Sequence, residues 1–434
     1  MDIFDQIVSF YEGFSSHKTR HRPTLSPPDF SPELLFMRRY ASIALLISTL
    51  FAGLSYAFLF PLTSLYLVNE LGASPLAMGV FMALMMCAGM LTSTWLGRRS
   101  DAGWSRKALI YSGQAGFILM LLSLMLTRSY GFVLFMAVTA MSLSSVTLPQ
   151  LFTLGRLHAD RNLGRQANFY IALMRAAIAI AWVVGPPSAF ILHGLFGFTG
   201  AFSAALIASA SVIVMLLGVP EQPRSERTDH DDPAAPSAHW IHNRALVLFL
   251  LATFSMFAAS NMYLISIPLY VTNELSLSAQ WVGNLMGLAA FIEVPVMILA
   301  GIYGSRLGMH RLMVIGVAAG CLFFAGLTQT DNILVLVLLQ LLNGLFVGIT
   351  ASIGIVLVQD LMKRSIGLAT TLFNNAQQAA MLLGNFAAGA IAQWFSFGST
   401  FLVALALGII SLVLLIAMGR HQQSSVIPLT EPSH

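Results

Sequence analysis

Charged residues are scarce in this chain, and their scarcity excludes an ordinary soluble protein. Only 9% of the 434 residues are Asp, Glu, Lys or Arg, whereas 57% are hydrophobic, and the mean hydropathy is +0.79. A soluble domain carries about a quarter charged residues. Most of the surface of this protein is therefore expected to face lipid.

Cysteine and catalytic motifs are scarce as well. The two cysteines, Cys87 and Cys321, lie inside long apolar runs, so we interpret them as small core residues and predict no disulfide. The sequence has no phosphate loop of the GxxxxGK type, no metal-ligand spacing and no nucleophile–base constellation. We expect neither an enzyme nor a cofactor. The first residues lack the pattern of a cleaved signal peptide, so the first spanning helix is expected to direct insertion.

Long apolar runs are what the chain has instead. A bilayer core of about 30 Å requires about 20 apolar residues per helix. Runs of this length predict an all-α membrane protein with twelve transmembrane helices at residues 41–68, 75–97, 107–127, 131–154, 166–193, 198–219, 245–271, 280–303, 311–329, 333–358, 367–394 and 397–418.

The runs divide the chain into two membrane halves with polar flanks. The halves are residues 40–219 and 244–418, and residues 220–243, rich in proline and aspartate, are predicted to be a solvated linker. Residues 419–434 are predicted to be a cytoplasmic tail. Residues 1–39 are predicted to be a cytoplasmic tail in which residues 3–14 form either an amphipathic helix on the membrane surface or a disordered segment.

The basic residues lie on one predicted side of the membrane. With both termini in the cytoplasm, all of the 22 Lys and Arg residues except Arg128 and Arg175 fall in cytoplasmic loops or tails. This asymmetry follows the positive-inside rule and predicts cytoplasmic termini. It also explains the net charge of +4 without a nucleic-acid partner.

The two halves share an internal repeat. The stretch YLVNEL at residues 66–71 recurs as YVTNEL at residues 270–275, an offset that also pairs Gly79 with Gly283 and Gly97 with Gly301. Halves repeated in the same orientation predict a substrate path at their interface near the membrane midplane, opened alternately to each side.

The loop between the second and third predicted helices carries a motif. It reads GRRSDAGWSRK and contains Gly97, Asp101 four residues later and the basic pair Arg106 and Lys107. It resembles the signature loop of the major facilitator superfamily, although Trp104 stands at the usual second glycine. The resemblance implies twelve helices in two six-helix pseudo-repeats.

The equivalent loop of the second half is a partial copy. It keeps Gly301, Arg306 and Arg311, while Ser305 replaces the aspartate. We expect both loops to act as conformational motifs, since glycine permits close helix contact and an aspartate can find a helix N-terminus or an arginine in one state only.

Within the superfamily, the chain resembles the bacterial sugar efflux transporters. The resemblance lies in the YLVNEL stretch, in Glu293-Val294-Pro295, in Arg175 with the GPP of residues 185–187, and in the FNNAQ of residues 373–377. It implies export of sugars such as lactose, glucose or glucosides from the cytoplasm against proton entry. It also implies a bacterial inner-membrane location and a monomer.

Two ionisable residues lie deep in the predicted membrane, Arg175 in the fifth helix and Glu293 in the eighth. A charge there is costly and functional by default; a purely structural ion pair is the alternative. We expect Glu293 to be the proton site. Burial favours its protonated form and a nearby arginine its ionised form, so movement of Arg175 relative to Glu293 would switch its proton affinity.

Amides suit sugar hydroxyls because they both donate and accept hydrogen bonds. At 100° per residue, Asn374, Gln378 and Asn385 lie within about 40° of one another on the eleventh helix. We expect this stripe, with its flanking amides, to contact substrate, and Trp182 to stack on the sugar ring. Asn375 and Gln377 flank this stripe on the same helix. Further candidates, for which interhelical bonding is the alternative, lie on other helices: Asn168, Gln114, Asn261, Tyr263, Gln340 and Asn343.

Two other functions stay open at this point. A multidrug exporter would use an aromatic and methionine-lined cavity, for which Met85, Met86, Met174 and Met381 are candidates. A non-transporting receptor on the same fold would leave the two midplane charges without a role.

Overall fold

The computed structural model describes residues 32–220, 238–363 and 365–424. The predicted surface helix of residues 3–14, most of the linker at residues 220–243 and the last ten residues of the C-terminal tail lie outside this part. Every element in it is helical.

Six helices make up the first half. They are α1 (Pro32–Asn69), α2 (Pro75–Asp101), α3 (Arg106–Leu126), α4 (Tyr130–Asn162), α5 (residues 167–196) and α6 (residues 198–217). A π-helical turn at Ala137–Met141 interrupts α4. The segment Ala167–Leu217 is divided into α5 and α6 at Gly197, whose φ of 66° and ψ of −168° break the helix. Glycine adopts this backbone without strain.

Six more helices make up the second half. They are α7 (Arg244–Glu274), α8 (Gln280–Leu307), α9 (Met309–Leu327), α10 (Ile333–Leu361), α11 (Ile366–Trp394) and α12 (Ser399–Ser424). The last turn of α7 is π-helical, and Pro295 lies inside α8. Several observed helices extend beyond the predicted spans, because polar ends such as Arg98–Asp101 of α2 continue the helix into water.

Ten helices of the described part are long and apolar enough to span a membrane. That number treats Ala167–Leu217 as one helix and leaves out α11, whose amides lower its hydropathy. Counting α5 and α6 separately and including α11 gives twelve, which is compatible with the predicted number. The predicted all-α membrane fold is confirmed.

Two pairs of helices form the largest contacts between the halves of the described part. α2 packs against α11, and α5 packs against α8. Within the second half, α7 packs against α11 and α12, and α10 packs against α8 and α9. The repeat explains this arrangement, since α2 corresponds to α8 and α5 to α11, so the two contacts are equivalent.

Candidate functional site

A cavity of about 410 Å³ lies between α5 of the first half and α7, α8 and α10 of the second. Its walls are mostly aliphatic side chains and methionines, and its polar or aromatic lining residues are Arg175, Trp182, Ser260, Tyr263, Glu293 and Asn343. The volume is within the range of small-molecule sites, roughly 300–1,000 Å³. Five residues predicted from the sequence therefore meet in one place.

Arg175 and Glu293 line this cavity from opposite halves. Glu293 is 13 residues after Gln280 and 14 before Leu307, so it lies at the centre of α8, roughly 20 Å from either end. The two side chains form no ion pair within 4 Å. Described residues form salt bridges elsewhere, at Glu70–Arg128 and Arg156–Asp160. Space for solute or water therefore separates the two charges.

A buried hydrogen-bond network supports the α10 wall of the cavity. Gln340 is fully buried and does not line the cavity. Its Oε1 accepts from Tyr263 Oη at 3.2 Å and from Asn343 Nδ2 at 3.0 Å. Its Nε2 donates to the Leu336 carbonyl oxygen at 3.1 Å. Of the three polar candidates, Tyr263 and Asn343 reach the cavity wall.

Four other predicted amides take part in bonds between helices. Gln114 accepts from Ser209 Oγ at 2.5 Å and donates to Thr147 at 3.4 Å, joining α3 to α6 and α4. Asn168 accepts from Arg156 at 2.7 Å, which joins α5 to α4.

The other two join α7 to α11. Asn261 donates to the Met381 carbonyl oxygen at 3.2 Å and to Asn385 Oδ1, and both amide side chains are buried. Such bonds hold membrane helices together. Asn385 therefore bonds to a neighbouring helix instead of facing the cavity, although it lies on the predicted α11 stripe.

The rest of the α11 stripe lies outside the cavity. Asn374 and Asn375 are exposed, and Gln377 and Gln378 are half-buried. None of the four is among the residues that line the cavity. The structure thus does not bring these amides to Arg175 and Glu293.

Ser260, Met286 and Met297 line the cavity but were not predicted from the sequence. Serine and methionine are common in membrane helices, so neither carries a distinct signal. Ser260 directly precedes Asn261, so the two side chains lie on different faces of α7. The sequence does not show which of these faces lines the cavity.

Repeated residues close one end of the interface between the halves, which we call the Asn69 end. Asn69 Nδ2 donates to Asn273 Oδ1 at 3.2 Å, and Asn273 Nδ2 donates to Asn69 Oδ1 at 2.9 Å. At the same end, the backbone N–H of Leu76 on α2 donates to Gln393 on α11 at 3.3 Å. The asparagines of the two NEL stretches therefore bond to each other across the halves.

The glutamates of the same stretches hold their own halves. Glu70 pairs with Arg128 at the α3–α4 turn. Glu274 accepts from the backbone N–H groups of Phe397, at 2.5 Å, and Gly398, at 3.0 Å, at the α11–α12 turn. In each NEL stretch, the asparagine therefore bonds to the other half, and the adjacent glutamate bonds within its own half.

Glycines permit the close contact at this end. A Cβ on Gly79 of α2 would lie 2.8 Å from Gly389 Cα of α11. On α8, a Cβ on Gly283 would lie 2.9 Å from Phe190 Cβ, and one on Gly287 would lie 2.3 Å from Pro187 Cγ. Small residues are what allow membrane helices to approach this closely.

At the opposite end, which we call the Gly97 end, the motif glycines have no such neighbours. A Cβ on Gly97 or Gly301 would meet no heavy atom within 4 Å. Asp101, Arg306 and Arg311 are exposed. The interface between the halves is therefore closed at the Asn69 end and not at the motif glycines.

The basic pair of the first motif holds its own half. Lys107 Nζ donates to the Val219 carbonyl oxygen at 2.6 Å and lies 5.9 Å from the centre of the Tyr111 ring. It therefore fixes the end of α6, while Arg106 beside it is half-buried.

Comparison with known proteins agrees with the geometry. The family model described as Major Facilitator Superfamily matches residues 45–330 and 249–432. Sugar efflux transporter A of Escherichia coli (strain K12) is 37% identical over 86% of this chain and 94% of its own. Sugar efflux transporter B of Salmonella typhimurium is 34% identical over 84% of this chain and 92% of its own.

Solved structures show the same fold at low sequence identity. The nucleoside transporter NupG superimposes with a TM-score of 0.73 at 15% identity, covering 88% of this chain and 99% of its own. A bacterial homologue of the lysosomal transporter Spinster, solved in an inward-facing and occupied conformation, gives a TM-score of 0.69 at 11% identity over 91% and 99% of the two chains. With these matches, the chain belongs to the Major Facilitator Superfamily, in the family of the sugar efflux transporters.

Proposed function

We propose that this protein exports sugars from the bacterial cytoplasm across the inner membrane in exchange for protons. The observation that carries the proposal is a single cavity with Arg175 on one half and Glu293 on the other. The family makes the chain a transporter and not an enzyme. Relatives similar over most of their length bear the name sugar efflux transporter.

The cavity chemistry suits a sugar of the lactose, glucose or glucoside type. Trp182 offers an aromatic face for the C–H side of a pyranose ring, and Asn343 and Ser260 offer hydrogen bonds to hydroxyls. The aliphatic remainder of the wall matches the apolar face of a sugar or an apolar aglycone. Asn374, Asn375, Gln377 and Gln378 would contact substrate only in another state, since α11 lies outside this cavity.

Proton coupling is assigned to Glu293. Glu293 lies at the centre of α8, where a charge is costly, and approach of the Arg175 guanidinium would stabilise its carboxylate form. Rocking of the halves would change the distance between the two groups. Proton binding and the conformation of the protein are then linked, as exchange requires.

The orientation follows from the basic residues. Both termini and the Gly97 end face the cytoplasm, and the Asn69 end faces the periplasm. The contacts at the Asn69 end support an inward-facing state. In the outward-facing state, we expect Gly97 and Gly301 to contact neighbouring helices at the Gly97 end. All residues that line the cavity belong to one chain, so the proposal assigns transport to a monomer.

The test is uptake of radiolabelled lactose, a glucoside and a cationic dye into everted membrane vesicles, with and without an imposed pH gradient. We expect gradient-driven sugar uptake that Glu293→Gln abolishes and the matched carboxyl change Glu70→Gln preserves. Unchanged gradient-driven uptake by Glu293→Gln would refute the proton assignment. Dye uptake without sugar uptake would favour a multidrug exporter. The apolar cavity wall with Met286 and Met297 supports this alternative. No uptake of any solute would favour a receptor.

A further inference from the structure

We propose that Gln340, which is sealed from the cavity, determines which kind of hydrogen bond the cavity offers to substrate. In this proposal, which rests on the proposed sugar transport, Gln340 is a positioning residue that makes Asn343 an acceptor. The transported solute must then donate a hydroxyl proton at that point.

The orientation of the Gln340 amide follows from its backbone partner. The Leu336 carbonyl oxygen can only accept, and it lies 3.1 Å from Gln340 Nε2. Turning the amide over would place two carbonyl oxygens at that distance with no proton between them. Because an unmade buried hydrogen bond is costly, Nε2 stays on Leu336 and Oε1 faces the other way.

The orientation of Gln340 then sets that of its neighbours. Oε1 accepts from Tyr263 Oη and Asn343 Nδ2 at 3.2 and 3.0 Å. Tyr263 uses its single proton in this bond. Asn343 must turn its amide nitrogen towards Gln340, and its oxygen is directed away from it.

The oxygen of Asn343 is the acceptor left for substrate, beside the second proton on its Nδ2. Asn343 lines the cavity. Its Oδ1 forms no hydrogen bond with any described residue, yet it is not one of the buried side-chain atoms that lack a partner. It is therefore accessible from the cavity. A hydroxyl of the substrate satisfies it, whereas a fluorine or hydrogen at the same position does not.

The experiment is competition against radiolabelled lactose uptake in everted vesicles by lactose analogues in which one hydroxyl at a time is replaced by hydrogen or by fluorine. For the unmodified protein we expect one position where both replacements weaken competition by roughly tenfold, the factor typical of one lost hydrogen bond. Fluorine accepts but does not donate, so equal loss with fluorine and hydrogen is the signature of an acceptor in the protein.

Variants separate positioning from packing. Gln340→Met removes the amide at similar length, so Asn343 can rotate and the discrimination at that position is expected to fall well below tenfold. Asn343→Leu removes the acceptor and should abolish the discrimination. Gln340→Glu, when protonated, again donates to Leu336 and accepts from the other two residues, and should restore it. The control is Gln359→Met. This change removes an amide on the same helix, whose partner Thr370 lies outside the cavity, and the variant should retain the discrimination.

Three results would overturn the proposal. The first is equal competition by all fluorinated analogues and lactose in the unmodified protein, a result that needs no variant to fold. The second is full discrimination in Gln340→Met. The third is absence of uptake of both lactose and the glucoside by the unmodified protein, which removes the proposed function together with this inference, whereas the first two leave sugar transport intact.

Discussion

Replacing Gly79 with alanine would place a methyl group against the backbone of α11. Backbone atoms cannot rotate away as a flexible side chain can. The new Cβ would lie 2.8 Å from Gly389 Cα, 2.9 Å from the Asn385 carbonyl oxygen and 3.1 Å from the Gly389 nitrogen. Carbon atoms prefer separations of about 3.5–4.0 Å. Relief therefore requires α2 and α11 to separate at the Asn69 end by roughly an ångström.

The energetic consequence is a shift between states. Overpacking of this kind costs about 1–3 kcal/mol, and the cost falls on the state in which the Asn69 end is closed. A difference of that size changes an equilibrium by roughly 5- to 150-fold. The equilibrium constant for closure of the Asn69 end should fall by a factor in this range.

Cross-linking of the asparagine positions measures closure. In a background with Cys87 and Cys321 replaced by alanine, the pair Asn69→Cys and Asn273→Cys reports how often the Asn69 end is closed. We expect Gly79→Ala to lower the rate of oxidative cross-linking, by at most the factor above, because the rate follows the population of the closed state. The matched control is Gly131→Ala at the start of α4, where an added Cβ meets no heavy atom within 4 Å. Equal rates for the two alanine variants would refute the argument.

Three further predictions follow from individual contacts. Asn385→Leu leaves Asn261 buried with one hydrogen bond fewer, and should lower the free energy of unfolding by about 1–3 kcal/mol, seen as a lower melting temperature in detergent; the double variant with Asn261→Leu should recover part of the loss, and full additivity would contradict the pairing. Trp182→Ala should raise the lactose KM in everted vesicles more than Trp182→Phe, because both remove the indole but only alanine removes the stacking face; equal KM values would exclude stacking. Glu274→Ala removes the acceptor of two backbone N–H groups and should destabilise by about 0.5–2 kcal/mol, whereas Glu70→Ala, which loses an exposed ion pair, should cost at most about 1 kcal/mol; the reverse order of melting temperatures would contradict this reading of the repeat.

The candidate site shows how far sequence reasoning reaches. Arg175 and Glu293 were recognisable because a charge in a membrane helix is rare and needs a reason. The structure places both in one cavity. The role of each amide could not be predicted in this way, because Asn and Gln side chains hydrogen-bond equally well to substrate and to neighbouring helices. Asn343 lines the cavity and Asn261 does not, although both lie in long apolar runs.

Helix α11 is the clearest case of a limit. Its helical period correctly places Asn374, Gln378 and Asn385 on one stripe, but a stripe does not reveal which neighbour it faces. Asn385 bonds to Asn261 on α7, while Asn374, nearer the Gly97 end, is exposed. A single helical face passes different neighbours along its length, because packed helices cross at an angle.

The division of the NEL repeat is a second case. The repeat was visible from the identical residues of YLVNEL and YVTNEL in the two halves, but the sequence did not show which residues each of them contacts. In the folded protein, Asn69 and Asn273 are partners of each other, whereas Glu70 and Glu274 have different partners in their own halves. Residues related by a two-fold repeat can meet only near its axis, and position relative to that axis is a property of the fold.

The sequence by itself determined the solvent, the helices and the halves of this protein, because each depends on local quantities: hydropathy over about 20 residues, the side of the membrane on which basic residues collect, and the repeat. Only the tertiary structure decided that the Asn69 end is closed, that Arg175 and Glu293 share a cavity, and that Gln340 is a buried support and not part of the cavity wall. These properties depend on distances between helices far apart in the chain, and on which proton each amide gives to which neighbour.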